Sequence, residues 1–131
     1  MPATNAALRP EPAEPDRVWL RFMRLHARLL GQMTQRIRAL GLSIPQFDLL
    51  STLTEREGIS QSELAERLYV TKGNVSGLVD RLVQAGLVER RAIAGDRRSY
   101  AMHLTPEGRR LAEAGIAAQR DCVAQTLGKL R

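Results

Sequence analysis

Residues 72–81 combine cationic, small and amide-bearing side chains, a combination that can hydrogen-bond to a large polar partner. They include Lys72, Gly73, Asn74, Ser76, Gly77 and Arg81. Asparagine and serine can reach base edges in the major groove of duplex DNA, while lysine and arginine can pair with bases or phosphates. In a helix each glycine costs about 1 kcal/mol relative to alanine, so a face without bulk indicates close approach to something large. The alternative is an ordinary solvated helix face.

Arginines surround a short turn further along the chain. They are Arg90, Arg91, Arg97 and Arg98, and the turn between them contains Ala94 and Gly95. An arginine at the tip of such a turn can enter the minor groove, where the potential of DNA is most negative. Arg97 is the best candidate for this insertion. Arg90 and Arg98 are better placed for contacts to the DNA backbone or for ion pairs.

Serines and glutamines at two predicted helix starts form a third group of polar residues. They are Ser43, Gln46, Ser60, Gln61 and Ser62. The start of a helix offers free amide groups, and the helix dipole favours anions there. We therefore expect these residues to contact phosphates, which fixes a register on DNA without specifying its sequence. For Ser43 and Ser60, capping the helix is the primary role.

The elements that position these groups are predicted to be mainly helices. Apolar residues between Val18 and Leu40 recur at steps of three and four, which is typical of one long amphipathic helix. The starts of three shorter helices carry capping signals, and a Ser or Thr followed three residues later by Glu or Gln forms a capping box. These signals are Ser43 with Gln46, Ser60 with Glu63, and Thr71 alone. Gly86 ends the last of the three.

After Gly86 the apolar period changes from helical to alternating. This predicts strands at 88–92 and 99–104, and Thr105 with Pro106 then begins a last long helix. The predicted fold is mainly α with a small two-stranded β-hairpin. It is a winged helix-turn-helix at 42–104, flanked by long dimerisation helices at 17–41 and 105–131. Residues 1–16 hold four prolines and three acids against one arginine, which predicts a disordered arm.

Composition excludes several classes of protein. The 131 residues carry a net charge of +6, and 44% of them are hydrophobic, which is enough for one core. The single cysteine, Cys122, excludes a disulfide scaffold and a zinc finger, and we expect it to be buried, with redox sensing as the lesser alternative. No membrane span and no secretory signal are found, so a cytoplasmic location is expected. His26 and His103 lie in no metal or nucleophile motif, which predicts no metal, no cofactor and no enzymatic activity.

Five short motifs together resemble the multiple-antibiotic-resistance regulator (MarR) family of bacterial transcription factors. They are SQSELA at 60–65, VDRL at 79–82, GLVERR at 86–91, DRR at 96–98 and LTPEG at 104–108. The order and spacing are specific, including the four residues between Arg91 and Asp96. With the flanking helices, the resemblance covers about 110 residues. It implies that Asp96 forms ion pairs that hold the arginines of the wing in place.

The resemblance also implies a homodimer on a palindromic operator. One reading helix gives little contact, whereas two helices about 34 Å apart match successive major grooves. Family members usually continue into a further helix that completes the dimer, and here the sequence stops at Arg131, where that helix would begin. We therefore expect the stability of the dimer, rather than the fold of the reading head, to be affected.

Members of the family often respond to small aromatic or phenolic anions. Such an effector would bind in a crevice between the dimer helices and the reading head, and the candidate residues are Trp19, Phe22, Arg24, His26 and Tyr69. The same residues would serve equally as core. The predicted function is a sequence-specific regulator of transcription that binds double-stranded DNA, acting as a ligand-responsive repressor. The alternative is a winged-helix module for protein contacts, such as an antirepressor or adaptor, without DNA binding.

Overall fold

The structure, a computed structural model, describes residues 14–128 apart from the side chains of residues 96–98. Five helices and three strands follow one another in this range. They are α1 (Pro15–Ala39), α2 (Ile44–Glu55), β1 (Ile59–Ser60), α3 (Gln61–Leu68), α4 (Lys72–Gln84), β2 (Val88–Ile93), β3 (Asp96–Leu104) and α5 (Pro106–Thr126). The predicted order of helices is confirmed. Most of the predicted arm at 1–16 lies outside the described residues, but α1 begins at Pro15, two residues before the predicted start.

Capping side chains begin the shorter helices as predicted, with one exception. At α2 both halves of the box form, because the Gln46 amide donates to Ser43 Oγ at 3.2 Å and the Ser43 amide donates to Gln46 Oε1 at 2.9 Å. At α3 only the Ser60 half forms, at 3.1 Å from the Glu63 amide. The Glu63 carboxylate instead accepts from Arg67 at 3.3 Å, so the full capping box predicted there is wrong.

The sheet has three strands rather than the two predicted, in the order β1-β3-β2. The two-residue strand β1 pairs antiparallel with β3, placing Ile59 opposite Met102 and Ser60 opposite Ala101. Two residues are too few to show an alternating pattern, which is why the sequence did not reveal this strand. Because β1 runs directly into α3, the third strand ties the hairpin to the first helix of the helix-turn-helix pair.

Aliphatic side chains from every element of the reading head meet in one core. Fully buried residues include Leu50 and Leu53 of α2, Leu64 of α3, Val79 of α4 and Met102 of β3. Burying each such side chain stabilises the fold by roughly 2 kcal/mol relative to leaving it exposed. The reading head can therefore form its core within one chain.

The long terminal helices pack against each other over only part of their length. Along α1 only Ile37 is buried, and Phe22, which belongs to the apolar pattern that predicted this helix, is 56% exposed. On α5 the packed face ends at Thr126, whose hydroxyl lies 3.3 Å from Gln32 Oε1, and the next residue, Leu127, is exposed. The first half of α1 thus leaves apolar side chains that no other described residue buries.

Candidate nucleic-acid interface

Helix α4 has one buried apolar face and one exposed polar face. Val75, Val79 and Leu82 are completely buried, and they hold the helix against the core. The opposite face is exposed apart from half-buried Ser76, and it carries the predicted reading residues. These are Lys72, Gly73, Asn74, Ser76, Gly77 and Arg81. The structure therefore brings all six together on α4, directed away from the core.

The two glycines of this face have no role in the packing of the chain itself. A Cβ atom built on Gly73 or Gly77 meets nothing within 4 Å. Neither residue has a positive φ that would favour glycine. Since alanine would be accommodated and would favour the helix, the packing of the described residues does not require glycine at either position.

The start of α3 and the hairpin line a polar cavity of about 530 Å³ that is open to solvent. It is lined by Ser60, Gln61, Ser62, Arg90, Ser99 and Tyr100. The first four are predicted contact residues, so the structure joins the helix start to one arginine of the hairpin. Ser99 and Tyr100 were not predicted as site residues. The alternating pattern of 99–104 predicted their strand, and its pairing with the strand of Arg90 could have indicated that they lie near this arginine.

Arg90 is engaged within the chain instead of being a free cation. Its Nε donates to Gln61 Oε1 at 3.0 Å, and its Nη2 donates to the carboxylate of Asp80 on α4. From the sequence we expected Arg90 to pair with Asp96 or to contact the DNA backbone. The ion pair between Arg90 and Asp80 was not predicted. Ten residues separate Asp80 from Arg90, so no local pattern marks this pair.

The turn of the hairpin lies between β2 and β3. Gly95 adopts φ +85°, a conformation that glycine tolerates without strain. Arg91 pairs with Glu89 at 3.1 Å, and both side chains are more than half exposed. The side chains of Asp96, Arg97 and Arg98 lie outside the described residues, so the ion pair of Asp96 and the groove insertion of Arg97 stay predictions.

Ser43 and Gln46, which were predicted to contact phosphates, form hydrogen bonds with each other at the start of α2. Ser43 is exposed and Gln46 is half-buried, and their reciprocal hydrogen bonds form the capping box. The predicted capping role of Ser43 is therefore confirmed. A contact from either side chain to DNA stays a prediction.

Three of the five predicted effector residues form a row on α1. The rings of Trp19 and Phe22 stack with centroids 6.0 Å apart, and Phe22 and His26 follow at 6.2 Å. Arg24 is exposed on the same helix. Tyr69 lies on a different element, at the end of α3, where it is 95% exposed with φ 56°. Within one chain these side chains do not enclose an aromatic ligand.

Cys122 is buried as expected, with its Sγ 3.9 Å from Arg36 Nη1. Among the described residues, no group of three or more His, Cys, Asp or Glu side chains is arranged to hold a metal ion. No helix within the same range has the length and apolar content needed to cross a bilayer.

Known proteins with similar sequences are regulators of transcription. A sequence profile of the MarR family matches residues 40–99. The HTH-type transcriptional repressor Rv2887 of Mycobacterium tuberculosis is 34% identical over 107 residues, which cover 82% of this chain and 77% of that protein. The HTH-type transcriptional regulator TtmR of Methylorubrum extorquens is 34% identical over 87 residues, 66% of this chain but only 42% of TtmR.

Solved structures with the same fold cover nearly the whole chain. YusO of Bacillus subtilis superposes with a TM-score of 0.76 at 27% identity, covering 91% of this chain and 87% of YusO. Rv2887 in complex with DNA gives 0.75 at 28% identity, covering 92% and 87%. Rv2887 in complex with salicylic acid gives 0.68 at 30% identity, with the same coverage. By sequence and by fold, the chain belongs to the MarR family of transcriptional regulators.

Proposed function

We propose that this chain is a sequence-specific regulator that binds double-stranded DNA with α4 in the major groove. The observation that carries the proposal is the exposed face of α4, where two glycines have no packing role and polar side chains surround them. Packing within the chain does not explain why the residues on that face are small. A helix that inserts into the major groove needs such a face, because the DNA approaches its backbone closely. The Rv2887 structure with DNA supports the same partner, since that protein shares the fold.

The regulator acts as a homodimer on palindromic operators. The exposed apolar residues of α1 support this proposal, since Trp19 is 60% and Phe22 is 56% exposed in a single chain. A large apolar surface on one helix is a typical interface. The N-terminal helix at 17–41 and the C-terminal helix at 105–131 would then form the dimer, and 42–104 would read DNA. Light scattering should give twice the 14.6 kDa mass of the chain.

The regulator responds to a small aromatic or phenolic anion and acts as a repressor that the ligand releases. The name of Rv2887 as a repressor and its structure with salicylic acid support this proposal. In the dimer, the row of Trp19, Phe22 and His26 would offer stacking surfaces, and Arg24 would pair with the carboxylate. Tyr69 lies at the end of α3 and would contribute to this effector site from there. The family and the names of these relatives support regulation by binding, without catalysis, in the bacterial cytoplasm.

Two alanine variants test the DNA interface. Lys72→Ala and Arg97→Ala should each weaken binding to the operator without lowering the temperature of thermal unfolding. If each copy of the cation in the dimer neutralises one phosphate, the slope of log K against log salt should become less steep by about 1.8, which is about 0.9 per subunit. Arg120→Ala, which removes an exposed cation from α5, is the matched control and should bind as the parent does.

The outcomes separate the two candidate functions. Genomic footprinting identifies the operator that the gel-shift experiment then uses. A parent chain that binds no promoter DNA would favour the protein-contact module instead. A variant that binds as tightly as the parent at moderate salt would show that its residue has no role in the interface.

A further inference from the structure

Arg90 of β2 holds three elements of the reading head together. Its Nε donates to Gln61 Oε1 of α3 at 3.0 Å, and its Nη2 donates to Asp80 of α4. The Arg90 side chain is 26% exposed, and that of Asp80 is 57% exposed. A guanidinium presents its donors in a fixed plane, so two acceptors on two helices define its position.

Apart from its contact with Arg90, the position of Asp80 on the proposed DNA-reading helix is unexpected for an acidic residue. It is exposed on the helix that carries Lys72 and Arg81, and a carboxylate there repels the phosphates of DNA. By charge alone it should reduce DNA affinity. The residue therefore needs a role whose benefit exceeds that repulsion, and its contact with Arg90 indicates the role.

We propose that Asp80 is a positioning residue for DNA reading, which acts through Arg90 to fix the wing strand against α4. This inference rests on the proposed function. The reading helix and the hairpin must reach adjacent grooves at the same time, so their relative placement decides whether both engage. With Asp80 and Gln61 as its acceptors, Arg90 links the base of the hairpin to both helices of the helix-turn-helix pair.

The neighbouring arginine provides an internal comparison. Arg91 pairs with Glu89, which is two residues away on the same strand, and both side chains are more than half exposed. That pair joins no two elements. Glu89→Gln is consequently a matched control for Asp80→Asn, because each variant removes one carboxylate and frees one of two adjacent arginines.

Of the two variants, only Asp80→Asn should weaken operator binding. Asp80→Asn should weaken binding by roughly fivefold, although it removes a negative charge from the interface. Glu89→Gln should bind as tightly as the parent or more tightly. In an Arg90→Gln background, Asp80→Asn should cause no further loss, because Asp80 acts only through Arg90. In the DNA-free protein, the NMR signal of the Arg90 Nε–H group should exchange faster in Asp80→Asn than in Glu89→Gln.

Several results would overturn the inference. Tighter or unchanged binding by Asp80→Asn, beside a parent that binds its operator, would show that simple charge repulsion dominates. Additive losses in the Arg90→Gln background, or an unchanged Nε–H signal, would also contradict it. A parent that binds no duplex would instead refute the proposed function, and this inference with it. Thermal unfolding of each variant confirms that the compared chains are folded.

Discussion

Helices α4 and α5 each contain two glycines, and the surroundings of these glycines are opposite. On α5, a Cβ atom at Gly108 would lie 1.9 Å from the Leu87 carbonyl oxygen, and one at Gly115 would lie 2.5 Å from Phe47 Cε1. On α4, a Cβ at Gly73 or Gly77 would meet nothing within 4 Å. The small residues of α5 let the chain pack against itself. Those of α4 face space that no other described residue fills, and the DNA partner proposed above would approach the backbone there.

The charged residues at the starts of α4 and α5 differ in a way that parallels the difference between their glycines. The first turn of α5 contains Glu107, and its ion pair with Arg110 lowers the pKa of that carboxyl. The first turn of α4 contains no acid and begins with Lys72. An acid stabilises the positive end of a helix dipole, whereas a cation there disfavours the isolated helix and attracts an external anion. The dipole at the start of α5 is therefore stabilised by an acid of the same chain. The start of α4 carries a cation instead, which favours the binding of an external polyanion.

The largest effect on stability is expected for Gly108→Ala. The new methyl group would overlap the backbone of Leu87, and backbone cannot move aside as a flexible side chain does. We expect a loss of about 2 kcal/mol in the free energy of unfolding, as for other overpacked sites. Urea denaturation at a fixed protein concentration measures it. A variant as stable as the parent would mean that α5 is no more tightly packed than α4.

A smaller change, of opposite sign, is expected for Gly77→Ala. Alanine should raise the free energy of unfolding by about 1 kcal/mol, because its helix propensity is higher and no atom opposes its methyl group. The same methyl group should weaken operator binding by roughly tenfold, since it enters a closely packed interface. Paired denaturation and gel-shift measurements check both. If stability rises and affinity is unchanged, the α4 face does not approach DNA closely.

The smallest effect is expected for Glu107→Gln and depends on pH. The pKa of Glu107 is lowered in the fold, so its stabilisation is present above the ordinary value of 4.5 and is lost as pH falls through the lowered pKa. The variant should melt slightly below the parent at pH 7, and this difference should shrink at acidic pH as Glu107 becomes protonated. As the converse variant, Lys72→Glu should melt slightly above the parent at pH 7. The same difference at pH 7 and at acidic pH would contradict this account of α5.

Much of the reading head was predictable because its signals are local. The caps at Ser43, Ser60, Thr71 and Thr105 all formed, each accepting from an amide three residues ahead. The exposed face of α4 followed from the helical period alone. These features depend on residues a few positions apart, and the geometry of one helix turn already determines which of them meet.

The contacts between distant segments could not be obtained in this way. The pairing of β1 with β3, the Asp80–Arg90–Gln61 link and the exposure of Phe22 each depend on how whole elements are placed. A charged or aromatic residue has many possible partners of the right type along the chain, and its own neighbours do not select among them. The amino-acid sequence by itself thus determined the helices, their caps and the polar face of α4. Only the tertiary structure decided which arginine is held and which apolar surface is left uncovered, because these depend on the packing of the shared core.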